Sequence, residues 1–315
     1  MYDPKLSEII SAAFERIDAA AGGVGEHFRQ QINSWLQEAY KTEEPKEAFM
    51  NPQAYPIILL PWFAEKSLPS EPNLVFQSDL VYSSINGYCY IRLMDNLMDR
   101  HGEGELHNLP TLSFFHTQFH SPYQRYFAYD HPFWELFQSV WMHSADVTMR
   151  DVQLPEIDRT LFDEISAQKT CAVKIPIAAV LHHDHCPEKI DDWMRFVELF
   201  GCWHQMQDDI FDWLKDYRGD TKTYLLSEYE CKKHPNELLP EWIKREGLEW
   251  GIGRLDGWMD EMQALAKSLD SHLLEAYLKK RGLILCEQRE EFTEKLDDVA
   301  VMLSSFKHAF IQEDG

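Results

Sequence analysis

Apolar residues recur every three or four positions over long stretches of this chain, the spacing of one helix face. Lys5 to Ala21 sets Ile9, Ile10, Ala13, Phe14 and Ile17 on such a face, and Gly22-Gly23 is expected to end it. His27 to Tyr40 predicts a second helix, followed by a loop rich in Glu, Pro and Asn as far as Pro56. Val75 to Arg100 predicts a long apolar helix, and its Val75 to Met94 part, apolar almost all round, is expected to be buried. A Gly-containing loop, Arg100 to Pro110, comes next. Further helices are predicted over 111–121, 131–152, 159–182, 188–217, 238–268 and 270–308, with Pro155, Pro187 and Pro240 at breaks. Pro176 falls inside a helical pattern and predicts a kink. No stretch keeps the alternation of a strand, no repeat is found, and no linker divides the chain. The expected fold class is all-α, with residues 1–315 as a single domain.

Composition agrees. The 315 residues are 44% hydrophobic and 13% aromatic, enough for a sizeable core. Gly (14) and Pro (15) are sparse, which favours long helices over a sandwich or a nucleotide-binding sheet. The formal net charge of −23 repels nucleic acid backbones and anionic lipid alike. A diphosphate ligand would then need metal ions or a few placed cations. None of the six cysteines is spaced CxxC, so a reduced, cytoplasmic protein without disulfides or a zinc site is expected. Met1 to Arg16 is amphipathic and acidic, unlike a signal or transit peptide. No apolar run approaches the length of a membrane span.

The chemistry concentrates in Gln205-Met-Gln-Asp208-Asp209-Ile-Phe-Asp212-Trp-Leu-Lys-Asp216. On a helix at about 100° per residue, Asp212 and Asp216 lie close to the line of Gln205, with Asp208 and Asp209 nearby. Trp203, Met206, Ile210, Trp213, Leu214 and Tyr217 form a stripe on the opposite face. A solvated acidic face would explain the carboxylates. However, such faces usually mix signs, because like charges one turn apart repel. Here they stack at i, i+4 and i+8 with Lys215 as the one nearby cation. Stacked carboxylates on an otherwise buried helix call for counter-charge, and hard oxygen donors suit Mg²⁺.

The second cluster is Tyr90-Ile-Arg-Leu-Met-Asp95-Asn96-Leu-Met-Asp99-Arg100. Asp95 and Asp99 lie one turn apart at a helix C-terminus, where the macrodipole disfavours anions. Arg92 or Arg100 could answer them by ion pairing, and so could a metal. Facing each other across a cavity, two such clusters could hold several Mg²⁺ ions on a diphosphate and stabilise the charge that develops as it leaves. The carbocation left behind would need a dry, aromatic-lined pocket.

At these residues the sequence resembles the class I isoprenoid synthases, that is, the trans-isoprenyl diphosphate synthases and their terpene-synthase relatives. The family's second motif, Q-x-x-D-D-x-x-D with a later acidic residue and Lys, is matched by Gln205, Asp208, Asp209, Asp212, Asp216 and Lys222. Its upstream Lys-Thr is matched by Lys169-Thr170, 39 residues before Asp208. Its first motif, D-D-x-x-D, is matched by Asp95-Asn96-Leu-Met-Asp99, with Asn96 in place of the second Asp. The matches span residues 90 to 224.

The resemblance implies a bundle of about 10–12 helices around a central cavity. It implies Mg²⁺ ions, about three, held by Asp95, Asp99, Asp208, Asp212 and Asp216. It places Lys169, Lys222 and Arg100 on the diphosphate, Gln205 beside it, and Tyr217 to Lys222 as a segment that closes over the substrate. Tyr90, five residues before Asp95, would limit the tail of a prenyl diphosphate to roughly C10–C20.

Two departures bear on the reaction. Chain-elongating members carry a Gly-Lys-Arg near the N-terminus and an Arg-Arg pair after the first motif. This chain has Gly22-Gly23-Val24-Gly25 and a single Arg100, followed by His-Gly-Glu-Gly-Glu. The reading favoured is therefore a one-substrate terpene synthase or cyclase that releases diphosphate. A prenyltransferase making a longer prenyl diphosphate remains an alternative. So does squalene- or phytoene-type head-to-head coupling, echoed by Thr221-Lys222-Thr223-Tyr224-Leu225, with Glu103 as a loose extra acid. A catalytically inactive helical scaffold is the alternative from another class, and a homodimer stays open. Elsewhere, His182-His183-Asp184-His185-Cys186 reads as a solvated turn rather than a metal site. Asp146, Arg150 and Asp151 read as an ion-pair set, with a diphosphate-sensing Arg150 as the rival. Trp193, Phe196, Phe200 and Trp203 read as core.

Overall fold

The computed structural model describes residues 2–51, 54–98, 105–151, 154, 156–219 and 221–313, with no side chains described at 105 and 297–313. The described residues form helices and connecting turns without strands. They fall into two compact units.

The first unit comprises 1–142, 171–194 and 269–274. Helix α1 (Pro4–Val24) begins at Asp3, whose carboxylate accepts the Lys5 N–H at 2.8 Å. It runs on through Gly22-Gly23, the expected end, and stops at Gly25. Helix α2 (Glu26–Tyr40) follows. Helices α3 (Pro45–Phe49) and α4 (Leu59–Lys66) occupy much of the stretch expected to be loop and its sequel. Helix α5 (Leu74–Met98) starts where the Asn73 side chain accepts the Val75 and Phe76 N–H groups, both at 3.1 Å. It is buried on nearly every side from Phe76 to Gly87, in agreement with the expected burial of Val75 to Met94. Helix α6 (Leu109–His120) packs on α5 at Gly87, where a Cβ would fall 2.7 Å from the Phe119 ring.

Helix α7 (Phe133–Asp151) ends in the second unit, which comprises 143–170, 195–268 and 275–315. The predicted 159–182 helix is two helices. Helix α8 (Arg159–Gln168) is capped by Asp158, which accepts the Leu161 N–H at 2.9 Å. After Lys169-Thr170, α9 (Cys171–His183) carries Pro176 within it. The predicted 188–217 helix also breaks, at Asp212, into α10 (Ile190–Phe211) and α11 (Trp213–Arg218). In consequence Leu214 and Tyr217 leave the apolar stripe and are exposed, whereas Trp203, Met206, Ile210 and Trp213 are buried. Trp193, Phe196 and Phe200 are fully buried, as read.

The chain continues through α12 (Tyr224–Lys232), α13 (Leu239–Trp242) and one π-helical turn, Ile243–Gly247. It ends with α14 (Leu248–Ser268) and α15 (His272–Glu313). No described helix is long and apolar enough to cross a membrane.

Candidate active site

The second aspartate motif is built by the end of α10. Trp203, Met206 and Ile210 anchor that helix in the core, and Gln205 and Asp208 between them point outward. The break at Asp212 does not destroy the carboxylate spacing. The Asp212 N–H still bonds the Asp208 carbonyl at 2.8 Å, and the Asp216 N–H bonds the Asp212 carbonyl at 3.1 Å. Asp208, Asp212 and Asp216 therefore line one pocket of about 280 Å³. Lys169, Gln205 and Lys222 line the same pocket. Six of the residues singled out in the sequence thus meet in one place.

Two of the carboxylates at this pocket pair with lysines. Lys169, at the end of α8, pairs with the Asp151 carboxylate. Lys215 Nζ lies 3.6 Å from Asp212 Oδ2, and His204 Nδ1 lies 3.4 Å from Asp208 Oδ2. Burial pushes the Asp216 carboxyl up, and the charges of Asp212 and Asp208 push the same way against Lys215.

Asp209 behaves differently from its neighbours. It is 2% exposed, and burial pushes its carboxyl up from 3.8 to about 7. Its Oδ1 accepts the Gln205 side-chain N–H at 2.9 Å, and its Oδ2 accepts the Tyr224 backbone N–H at 3.2 Å.

Sequence reading missed two things here. Asp151 serves Lys169 rather than Arg150, whose guanidinium bonds Glu164 at 2.7 Å and lies 3.8 Å from Asp146. The ion-pair reading of Arg150 thus stands, with Glu164 as its closer partner. Asp209 turns inward, which its place between the polar and apolar faces of α10 allowed but did not require.

The first motif lies in the first unit. Asp95 is exposed near the end of α5. Asp99, Arg100 and Glu103 fall outside the described residues. Arg92 lies 5.2 Å from the centre of the Tyr40 ring and donates to the Ala39 carbonyl at 2.8 Å. Tyr90 is half-buried, its ring 5.2 Å from His116 and 5.5 Å from Trp141. Those two rings border a cavity of about 970 Å³, with Phe127, Trp134 and Phe137 among its walls.

The His182–Cys186 turn is not the solvated loop expected. His183 stacks on Phe76 with ring centres 4.0 Å apart, and His182 lies 5.2 Å from His131. The apolar end of α9 draws these rings against their own unit.

No protein-family model matches this chain, and no curated protein does. Solved structures do. An isoprenoid synthase family member from Thermotoga neapolitana superposes with a TM-score of 0.57 at 15% identity, over 87% of this chain and 98% of its own. A geranylgeranyl pyrophosphate synthetase from the archaeon Geoglobus acetivorans gives 0.58 at 13% identity, over 93% and 100%. The fold is the isoprenoid synthase fold. It agrees with the all-α reading of the sequence and with the resemblance drawn from its two aspartate motifs.

Isoprenoid synthases imply magnesium, and the donor set can be tested against it. Among the described residues no three His, Cys, Asp or Glu side chains converge closely enough to enclose a metal on their own. Among the described residues a protein-enclosed site of the zinc or calcium kind is therefore not formed. Magnesium makes a smaller demand: it keeps several waters and takes one or two carboxylates together with substrate phosphate oxygens. Asp208 and Asp212, with side chains 59% and 57% exposed on one pocket wall, fit that requirement.

Proposed function

We propose that this protein is an Mg²⁺-dependent enzyme that binds a single allylic prenyl diphosphate and ionises it, releasing diphosphate as a terpene synthase or cyclase does. The observation that supports this best is the pocket in which Lys169, Gln205, Asp208, Asp212, Asp216 and Lys222 meet. Lysines alone would suit any anion, and aspartates alone any cation. Their meeting in one pocket suits an anion that arrives with divalent metal.

In this reading Lys169 and Lys222 hold diphosphate oxygens and Gln205 donates beside them. Asp208, Asp212 and Asp216 hold magnesium. When bound, the metal neutralises the charge that builds on the leaving diphosphate. Asp95, Asp99 and Arg100 enter through the resemblance of the first motif. So do Tyr90 as the limit on chain length and residues 1–315 as one functional domain. The missing basic pairs support a one-substrate reaction, because a second diphosphate would need positive charge of its own.

The test is incubation with Mg²⁺ and geranyl, farnesyl or geranylgeranyl diphosphate, each with and without isopentenyl diphosphate, followed by mass analysis of the products. A hydrocarbon or alcohol from one allylic diphosphate alone is the expected result. A longer diphosphate formed only with isopentenyl diphosphate would replace this reading with chain elongation.

A further inference from the structure

Asp209 adjoins the proposed metal ligand Asp208 and borders the same pocket, yet it is 2% exposed. A buried carboxyl group is costly unless its oxygens are satisfied. Both are: Gln205 Nε2 donates to Oδ1 at 2.9 Å and the Tyr224 N–H donates to Oδ2 at 3.2 Å. Tyr224 is the first residue of α12, where a free N–H group meets a carboxylate favourably. It is itself fixed, with its ring 5.0 Å from Phe162 and 5.2 Å from Trp250. On the other side of Lys222, the Thr221 N–H bonds the Asp216 carbonyl at 3.0 Å. Lys222 is exposed between these two ties, and both run to the segment that bears the aspartates.

We propose that Asp209 is the positioning residue of this pocket: it fixes Lys222 through Tyr224, orients the Gln205 amide, and contacts neither metal nor substrate. This rests on the diphosphate reading of the same pocket.

Asp209→Asn tests it, because an asparagine amide has one acceptor oxygen for two donors. Trypsin is expected to cut the variant after Lys222 about tenfold faster than wild type, the scale of one lost hydrogen bond to a carboxyl group. Cutting after Arg29 is expected to be unchanged. Affinity for pyrophosphate with Mg²⁺ is expected to fall by a similar factor. Thr223→Ala removes the cap of α12 and leaves the Asp209 contacts; it is expected to keep pyrophosphate affinity. If it loses affinity as Asp209→Asn does, helix fraying explains both and the proposal fails. Unchanged cutting in Asp209→Asn, or fast cutting with unchanged affinity, overturns it as well. Faster cutting in a protein whose wild type binds no pyrophosphate would overturn the diphosphate reading and leave the anchor. Hydrogen exchange on the wild type needs no variant: a Tyr224 amide that exchanges as fast as an open loop would sink the anchor.

Discussion

Lys169 reaches the pocket already bonded to the carboxylate of Asp151, the last residue of α7. An anion at a helix C-terminus sits badly in the helix field, so the lysine is what holds Asp151 there. Under the proposed function, an incoming diphosphate competes with Asp151 for Lys169. Asp151→Asn is expected to tighten pyrophosphate binding about two- to fivefold, the scale of a partly exposed ion pair, as measured by calorimetry. Weaker binding would make Asp151 a ligand-side group rather than a competitor.

Asp208 and Asp212 are more than half exposed, so their carboxylates contribute little to folding. Asp208→Asn and Asp212→Asn are expected to melt like wild type. They are also expected to lose the thermal stabilisation that Mg²⁺ with pyrophosphate gives by mass action. Turnover of the allylic diphosphate is expected to fall by about 10²–10³-fold, as when preorganised charge stabilisation is removed. Asp95→Ala is expected to lose turnover as well. Full activity in any of the three would remove that residue from the site.

How far this was legible depends on where the information lay. The carboxylate ladder was local: helical periodicity fixed which side of α10 Asp208 took, and Trp203, Met206 and Ile210 fixed which side was core. Helix α4 was missed because its run Leu59–Ala64 is buried on all sides and leaves no period to read. The break between α8 and α9 has no Gly or Pro at Lys169-Thr170, so nothing local marks it. The inward turn of Asp209 depends on Tyr224, 15 residues later, which no periodicity reports.

Glu65 makes a prediction about pH. Its side chain is buried in the first unit and accepts the Asn73 N–H at 3.0 Å. Burial pushes its carboxyl up from 4.5 to about 7, and the charge of Asp184 adds to the rise. The folded state therefore binds this proton more tightly than the unfolded chain. Stability from Glu65 is complete below about pH 4.5 and is lost as pH rises through about 7, on the order of 3 kcal/mol in all. Glu65→Gln is expected to remove that loss. The difference in denaturant stability between variant and wild type should grow in the variant's favour from pH 5 to pH 8. A constant difference would show that Glu65 does not titrate in this window.

Gly201 links packing to the site. It sits on α10 where that helix crosses the end of α8, and a Cβ there would fall 2.6 Å from the Ser166 carbonyl oxygen and 2.6 Å from Thr170 Cγ2. One of those neighbours is backbone and cannot rotate away, so Gly201→Ala must push the two helices apart. The cost is expected to be about 1–3 kcal/mol of stability by denaturant unfolding. The displaced segment contains Lys169, between Ser166 and Thr170 in the chain, so the variant is also expected to bind pyrophosphate more weakly than its folded fraction explains. Gly253→Ala, with nothing within 4 Å of the added carbon, is the control and is expected to match wild type in affinity. Equal affinity in Gly201→Ala and Gly253→Ala would show that the close approach of α10 to α8 serves packing alone.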